Sequence, residues 1–431
     1  MCGRYIGVIN MNYLIIGNSC AGTSCASEIR NNDKTGNITI LSEEKFPAYG
    51  RPLISYFLLG KQDMETIKYK KEDFYTKNKI SVKLNCKAET IDVKRKEVKC
   101  ANGEIYKYDK LLIATGSVPF IPKIAGIEKH KNVYTFLNLE SVVNIKNAVN
   151  KDSNVVIIGA GLIGLKAAEA LAEQVKSVKI CDMADRVMGS VLDKNSASII
   201  QNHIEKHNVK FYLSNTAKEI TEKSVILNDE TELKCDVLIM AVGVRPNISV
   251  AQTANIKINR GIVVDKYMQA SVKDIYAAGD CVESFDVLSE QNKILALWPN
   301  AFIQGKTAGA NMAGVKQEFN GAFPLNAIGF FGLHLISAGI VDTKQDGYKI
   351  YIKEDKENQK LKKLVVKDDN LAGFALININ ERAGIYTSLI KDKIPLSSLN
   401  YDLTKQDIGL NVFSQQIRLD KIFGGETNEK N

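Results

Sequence analysis

The stretch Asn154-Val-Val-Ile-Ile158-Gly159-Ala160-Gly161-Leu162-Ile163-Gly164 decides the fold. Asn154 and four apolar residues run into three glycines spaced G-x-G-x-x-G. A helical pattern then follows through Ala167, Ala168, Leu171 and Ala172. This is a strand, a tight turn and a helix. Each glycine has a physical task. The first permits the turn, the second lets a pyrophosphate approach the backbone, and the third lets helix and strand pack closely. The next strand is Ser177-Val-Lys-Ile-Cys181, closed by Asp182. A carboxylate there accepts from both hydroxyls of an adenosine ribose and repels a 2′-phosphate, which favours NAD over NADP. Arg186 lies four residues on and is the one nearby group of the opposite tendency.

A second, less regular copy lies near the N-terminus. Tyr13-Leu-Ile-Ile-Gly17 is followed by Asn18-Ser19-Cys20-Ala21-Gly22 and a helical stretch through Ala26, Ile29 and Arg30. Ser19 stands where the second glycine would be. Ile38-Thr-Ile-Leu41 is the next strand, and of the carboxylates after it Glu43 is the choice for a ribose hydroxyl. Two such turns put two helix N-termini and two sets of backbone N–H groups against pyrophosphates. They imply two dinucleotides, for which FAD with NAD is the natural pair. Backbone contacts are expected from Gly17, Ser19, Ala21 and Gly22 in one turn. In the other they are expected from Gly159, Gly161, Leu162, Ile163 and Gly164.

Composition agrees with a large folded protein. The 431 residues suggest about three domains at ~150 residues each. Hydrophobic residues are 45% and charged residues 25%, which excludes a disordered or collagen-like chain. The net charge of +8 is too small for a nucleic-acid footprint by itself. No apolar run approaches the ~18 residues of a membrane helix. The apolar stretch from Tyr5 to Gly17 is interrupted by Asn10 and Asn12 and lacks a cleavage pattern, so export is not expected and the first ten residues read as an extension. Eight scattered cysteines without a Cys-x-x-Cys read as reduced buried thiols of a cytoplasmic protein and support no metal site.

Three further segments complete a pattern. They are Tyr108-Asp109-Lys-Leu-Leu-Ile113-Ala114-Thr115-Gly116-Ser117, Met240-Ala-Val-Gly243-Val-Arg245-Pro246, and Asp274-Ile-Tyr-Ala-Ala-Gly279-Asp280. With the two glycine turns, in this order, the chain resembles the FAD-dependent pyridine nucleotide–disulfide oxidoreductases over about residues 11–325. The resemblance implies an α/β fold with two Rossmann-like dinucleotide-binding domains. The flavin domain would be discontinuous, 11–119 and 244–325, and interrupted by an NAD domain at 120–243. It also implies that Ala114, Thr115 and Gly116 lie near the FAD, and that Asp280 holds its ribityl chain or pyrophosphate. Ala88 would touch the adenine through its backbone, and Gly243 would sit beside the NAD.

Many members of that family carry a redox cysteine soon after the ribose-binding acid. Here Glu43 to Gly60 contains none, so disulfide reductase, coenzyme A-disulfide reductase and thiol peroxidase lose support. Cys20 and Cys25 have a disulfide-like spacing. Five residues on a helix is about 500°, however, so their side chains diverge by roughly 140° and no redox role is assigned. Tyr49-Gly-Arg51-Pro52 is similar to the cysteine-free branch, which includes rubredoxin reductases, ferredoxin reductases of oxygenase systems and nitrite reductase flavin modules. Arg51 and Pro52 would then contact the FAD. Relatives pair a lysine and a glutamate near the flavin at positions held here by Tyr56 and Lys166. Lys166 is therefore expected to supply a polarising cation and Tyr56 to shield the NAD face, the two candidate catalytic residues. Trp298 opens a helix that in relatives lies against the flavin ring.

After about residue 325 the pattern changes. Tyr348 to Ile352, Leu361 to Val366 and Leu371 to Ile377 alternate as antiparallel strands, and Glu381 to Ile390 reads as an amphipathic helix. This C-terminal α+β domain, 326–431, resembles that of rubredoxin reductases. In the wider family it packs on the flavin domain and often forms a homodimer. Residues 400–431 carry no legible chemistry. The whole implies an FAD enzyme that takes hydride from NADH and hands electrons to a small acidic carrier, rubredoxin first. The rivals are the flavin subunit of a nitrite reductase system, an NADH oxidase reducing O₂, and, from another class, a flavin-bearing regulatory protein.

Overall fold

The computed structural model describes residues 10–343, 345–379, 382–399, 402, 409 and 412–423. The chain divides into two compact units. The first comprises residues up to Phe120, Leu137–Val142 and Gly243–Ala322; the second comprises Ile121–Phe136, Val143–Val242 and residues from Phe323 on. The expected NAD and C-terminal segments thus share one unit.

The first unit is built on a five-stranded parallel sheet. Its order is Ile275–Ala277, Lys110–Ile113, Asn12–Ile16, Asn37–Leu41, Ile80–Lys83. The central strand pairs Ile15 with Ile40 on one side and with Leu112 on the other. All three are fully buried, as an uninterrupted apolar run in a two-sided parallel sheet requires. Helix Cys20–Asn32 packs on helix Trp298–Met312. The two backbones meet closely, for a Cβ on Gly305 would lie 2.2 Å from the carbonyl oxygen of Ala21. A smaller antiparallel sheet, Ala88–Asp92, Glu97–Cys100 and Ile105–Lys107, joins this unit. Ser117–Pro119 and Val244–Pro246 pair antiparallel where the chain leaves and re-enters it.

The second unit repeats the parallel design. Its sheet runs Val209–Tyr212, Ser177–Cys181, Asn154–Ile158, Val237–Met240, Val133–Thr135. Strand Asn154–Ile158 is buried at all five positions. The C-terminal part is a five-stranded antiparallel sheet, in order Leu325–Phe330, Leu333–Gly339, Asn370–Ile377, Lys360–Lys367, Tyr348–Asp355. Helix Ala383–Lys391 covers it, with Ile385, Tyr386, Leu389 and Ile390 buried. The alternating segments therefore form the expected strands, and the helix begins two residues later than its pattern suggested; Glu381 lies outside the described residues. Alternation fails at Lys362 and Lys363, which are both buried. Lys363 is satisfied by Asp193 at 3.2 Å, and the Lys362 ammonium lies 5.5 Å from the Tyr386 ring.

Candidate functional site

The glycine turn of the first unit runs from strand Asn12–Ile16 into helix Cys20–Asn32. Gly17 has φ +117°, and a Cβ there would lie 2.1 Å from the Ala114 carbonyl oxygen. A Cβ on Gly22 would lie 1.9 Å from the Gly17 carbonyl oxygen. Neither position accepts a side chain. Ser19 is different: its backbone is extended (φ −104°, ψ −156°) and its side chain makes no cap bond to the helix. The second unit explains why serine is admissible there. The matching residue, Gly161, is also extended (φ −81°, ψ −177°), and a Cβ on it would meet nothing within 4 Å. The second glycine of the motif is thus the one position where the protein alone imposes no steric demand.

Both turns have room and donors for a pyrophosphate. The first helix starts without a side-chain cap, so its leading N–H groups are open to an anion. Asn18 Oδ1 accepts from Tyr75 Oη at 2.9 Å, while its Nδ2 is buried without a hydrogen-bond partner. A buried donor in that position fits a dinucleotide acceptor. Gly116 has φ +71° with open space at its Cβ. Thr115 Oγ1 donates to the Asn247 carbonyl at 2.6 Å and so fixes the crossing strands.

Around this turn the sequence candidates converge. Gly279 N–H donates to buried Gln304 Oε1 at 2.8 Å, and a Cβ on it would lie 3.3 Å from that of Ala21. Asp280 follows. Burial pushes its carboxyl above the ordinary value, while the Arg51 charge and a 3.4 Å bond from Ser117 Oγ pull it back. Arg51, in the short turn Arg51–Leu53 that also contains Pro52, donates to Ser19 Oγ at 3.4 Å and to the Leu137 carbonyl at 3.2 Å. It also pairs with Glu44. Tyr49 Oη donates to the same Glu44 carboxylate at 2.7 Å and accepts from Leu139 N–H at 3.0 Å. Trp298 is half-buried, edge-on to Tyr69 with centroids 5.0 Å apart, and its carbonyl accepts from Cys20 Sγ at 3.6 Å. Tyr56 is half-buried on the short helix Ile54–Leu58.

Two candidates stand apart from this cluster. Glu43 is exposed and paired with Lys87 at 2.7 Å, and Lys87 adjoins Ala88 at the start of its strand. Gly243, expected beside the NAD, belongs to the first unit; its carbonyl accepts from Phe120 N–H at 3.0 Å and its Cβ position is open. Two residues were missed: Glu44, which anchors Arg51, and Gln304, which anchors the Gly279-Asp280 turn. Neither left a signal, because an irregular loop and a single polar residue inside a small-residue helix have no diagnostic spacing.

In the second unit Gly159 has φ +114° and a Cβ on it would lie 2.3 Å from the Ala241 carbonyl oxygen. A Cβ on Gly164 would lie 1.9 Å from that of Gly159. Asp182 accepts from Ala160 N–H at 2.6 Å and from Ala184 N–H at 2.7 Å, so its carboxylate is tied to the turn itself. Leu162 and Ile163 begin the helix, half-buried. Arg186 is engaged elsewhere, donating to the Leu192 carbonyl at 2.9 Å and pairing with Asp342 at 2.9 Å. Lys166 lies on helix Leu162–Leu171 with a side chain only 12% exposed. It pairs with Glu169 and donates to the Gly329 carbonyl at 3.2 Å, while Glu169 Oε1 accepts from Phe331 N–H at 2.7 Å. The pair therefore grips the hairpin of the C-terminal sheet.

The seven described cysteines are all buried and free. Cys20 also contacts Tyr69 Oη at 3.8 Å, and Cys25 lies 3.6 Å from Met312 Sδ, so the two face different partners. Burial pushes Cys281 up to about 11. No cluster of three metal-ligating side chains occurs among the described residues, and none of their helices is long and apolar enough to cross a membrane.

A family model described as pyridine nucleotide-disulphide oxidoreductase matches residues 11–305. The chain belongs to that family. Its members are flavoenzymes that bind FAD and use a pyridine nucleotide, in agreement with the two cradles. A second model, the rubredoxin NAD+ reductase C-terminal domain, matches residues 324–394. The assimilatory nitrate reductase electron transfer subunit of Bacillus subtilis (strain 168) is 32% identical over 389 residues, 88% of this chain and 49% of its own. The chain thus spans about half the length of that relative. An NADH oxidase of Methanocaldococcus jannaschii is 34% identical over 321 residues, 72% of this chain and 71% of its own. The crystal structure of NADH:rubredoxin oxidoreductase from Clostridium acetobutylicum superposes with a TM-score of 0.74 at 26% identity, covering 90% of this chain and 96% of that one.

Proposed function

We propose that this chain oxidises NADH through bound FAD and delivers the electrons to a small acidic redox protein, rubredoxin first. The observation that carries the reading is the pair of glycine cradles in a chain with no cysteine between Glu43 and Gly60. FAD supplies the chemistry, taking a hydride and releasing electrons one at a time. The protein's part is to bind and orient. Gly17, Ser19, Ala21 and Gly22 present backbone to the FAD pyrophosphate, with Asp280 and Arg51 beside it. Ala88, Ala114, Thr115, Gly116, Pro52 and Trp298 line the rest of that site, and Glu43 reaches the ribose. Gly159, Gly161, Leu162, Ile163 and Gly164 hold the NADH pyrophosphate, with Gly243 beside the NAD site. Asp182 takes the ribose hydroxyls, and Arg186, already occupied, offers nothing to a 2′-phosphate, so NADH is preferred to NADPH. Tyr56 shields the nicotinamide face and Lys166 polarises the flavin, in addition to its grip on the C-terminal hairpin.

The reading includes a discontinuous flavin domain (11–119, 244–325), an NAD domain (120–243) and a C-terminal domain (326–431), a cytoplasmic location and assembly as a homodimer. The +8 charge suits an acidic carrier, whose association would weaken with salt. The match of residues 324–394 to the rubredoxin reductase C-terminal model favours rubredoxin. The similarity to the electron transfer subunit of a nitrate reductase and to an NADH oxidase keeps a reductase partner and O₂ as second readings. A regulatory flavoprotein is disfavoured because it has no use for the second cradle and Asp182. The test is NADH consumption with rubredoxin, a nitrite reductase partner and O₂ offered in parallel. Rubredoxin should give the highest kcat/KM, and turnover with O₂ alone would replace it with an oxidase.

A further inference from the structure

Of the seven described cysteines, two have their sulfurs in direct contact. Cys86 Sγ lies 3.1 Å from Cys100 Sγ, and both side chains are buried. The contact follows from strand register. Ala88 is paired with Cys100 across the antiparallel strands Ala88–Asp92 and Glu97–Cys100, and the pairing continues with Ala101 N–H donating to the Lys87 carbonyl at 2.9 Å. Cys86 is held in place by its N–H bond to the Ser42 carbonyl at 2.7 Å, and Cys100 by its N–H bond to the Glu104 carbonyl at 2.9 Å. Disulfide sulfurs lie about 2.0 Å apart, so the two need to close by only about 1 Å.

We infer that Cys86 and Cys100 are a redox modification site that closes to a reversible disulfide when the protein meets a hydroperoxide. The inference is independent of the flavin reading. Cys86 is the sulfur placed to react first. Its Sγ lies 3.9 Å from Glu104 Oε2, a carboxylate that also accepts from Asn102 Nδ2 at 2.9 Å and Tyr106 Oη at 2.8 Å. These bonds hold Glu104 below the usual carboxylate range, so it stays ionised and accepts the weak hydrogen bond of the Cys86 thiol proton, which orients that thiol. The thiolate attacks one peroxide oxygen, the O–O bond breaks, and hydroxide leaves with that proton as water. Cys86 is then a sulfenic acid. Cys100 attacks its sulfur, the S–S bond forms, and the S–OH oxygen leaves as a second water. Two thiols are oxidised by two electrons and one hydroperoxide is reduced.

Cys100 suits the second step. Burial and the neighbouring Cys86 push its thiol up, and a sulfenic sulfur formed on Cys86 would lie in direct contact with it. Access comes from the periphery: Ala101 to Glu104, the turn directly after Cys100, is exposed, and short strands at a sheet margin open locally. Three of the other described cysteines have different partners. Cys20 faces Tyr69, Cys25 faces Met312, and Cys281 contacts the Ile113 and Ala278 carbonyls.

The test treats the folded, flavin-loaded full chain with hydrogen peroxide, then unfolds it in an alkylating reagent and maps the peptides by mass. The expected result is a Cys86–Cys100 cross-linked peptide about 2 Da lighter than its two thiol forms, reversed by dithiothreitol. Cys20, Cys25, Cys181, Cys235 and Cys281 should remain alkylated. In Cys100→Ser, dimedone should trap Cys86 as a sulfenic acid, whereas Cys86→Ser should leave Cys100 unmodified at the same dose. The inference is overturned if no cross-link forms while other cysteines oxidise, or if the cross-link forms no faster than in the unfolded chain.

Discussion

Replacing Lys166 with methionine keeps the aliphatic stem and removes the charge, which tests both of its roles by two separate measurements. The ion pair with Glu169 has side chains 12% and 15% exposed, and both partners also bond the hairpin backbone at Gly329 and Phe331. Breaking a fully buried pair costs about 3–5 kcal/mol, whereas an exposed one contributes ~0–1 kcal/mol. A pair that still sees some solvent falls between. Glu169 also keeps its bond from Phe331 N–H, so the loss should be about 2 kcal/mol. For a unit of some 200 residues each kcal/mol moves Tm by roughly 2–4 °C, giving a fall of about 4–8 °C. Differential scanning calorimetry of the flavin-loaded protein reads this directly. A Tm unchanged within about 1 °C would refute the clamp. The same variant, mixed anaerobically with NADH, tests the polarising role. Flavin reduction should slow by about tenfold, the equivalent of ~1.4 kcal/mol in the barrier, and an unchanged rate would remove Lys166 from the chemistry.

Three further outcomes follow from the cradles. Gly164→Ala puts a methyl 1.9 Å from a backbone oxygen and should unfold the second unit's turn, whereas Gly161→Ala meets nothing and should leave stability within about 0.5 kcal/mol, both read by urea titration. Asp182→Ala removes the ribose acceptor and both backbone bonds; KM for NADH should rise about tenfold or more, and the preference over NADPH should shrink in steady-state assays. Asp280 carries a carboxyl raised by burial, so its ionised form opposes folding, and the stability it contributes in the protonated form is lost as pH rises. In flavin-free protein, Asp280→Asn should therefore be more stable than the parent at neutral pH. The difference should vanish below the unfolded carboxyl range, about pH 4, and a constant difference at all pH values would contradict the assignment.

What was legible in the sequence is what sterics leaves no choice about. Gly17, Gly22, Gly159 and Gly164 each lie so close to another backbone oxygen that no side chain fits, and such demands reappear as glycine at fixed spacing. Ser19 looked like an imperfection only because the motif's second glycine answers to the ligand rather than to the fold. Asp182 was legible because it closes a strand, while Glu44 sits in an irregular loop where seven residues to Arg51 carry no period. The Lys166–Glu169 spacing is an ordinary helical i, i+3 pair, but the hairpin carbonyl it serves lies far along the chain and leaves no trace near it. Cys86 and Cys100 looked scattered for the same reason: strand register, not sequence distance, brings their sulfurs together.

The central claim is that one chain binds both dinucleotides and moves electrons between them and outward to a carrier. Anaerobic rapid mixing of the flavin-loaded protein with NADH, followed by oxidised rubredoxin, tests it most directly. The flavin's visible absorbance should bleach within the turnover time and return when rubredoxin is added, with rubredoxin reduced in step. Absorbance that does not bleach with NADH would contradict the claim outright.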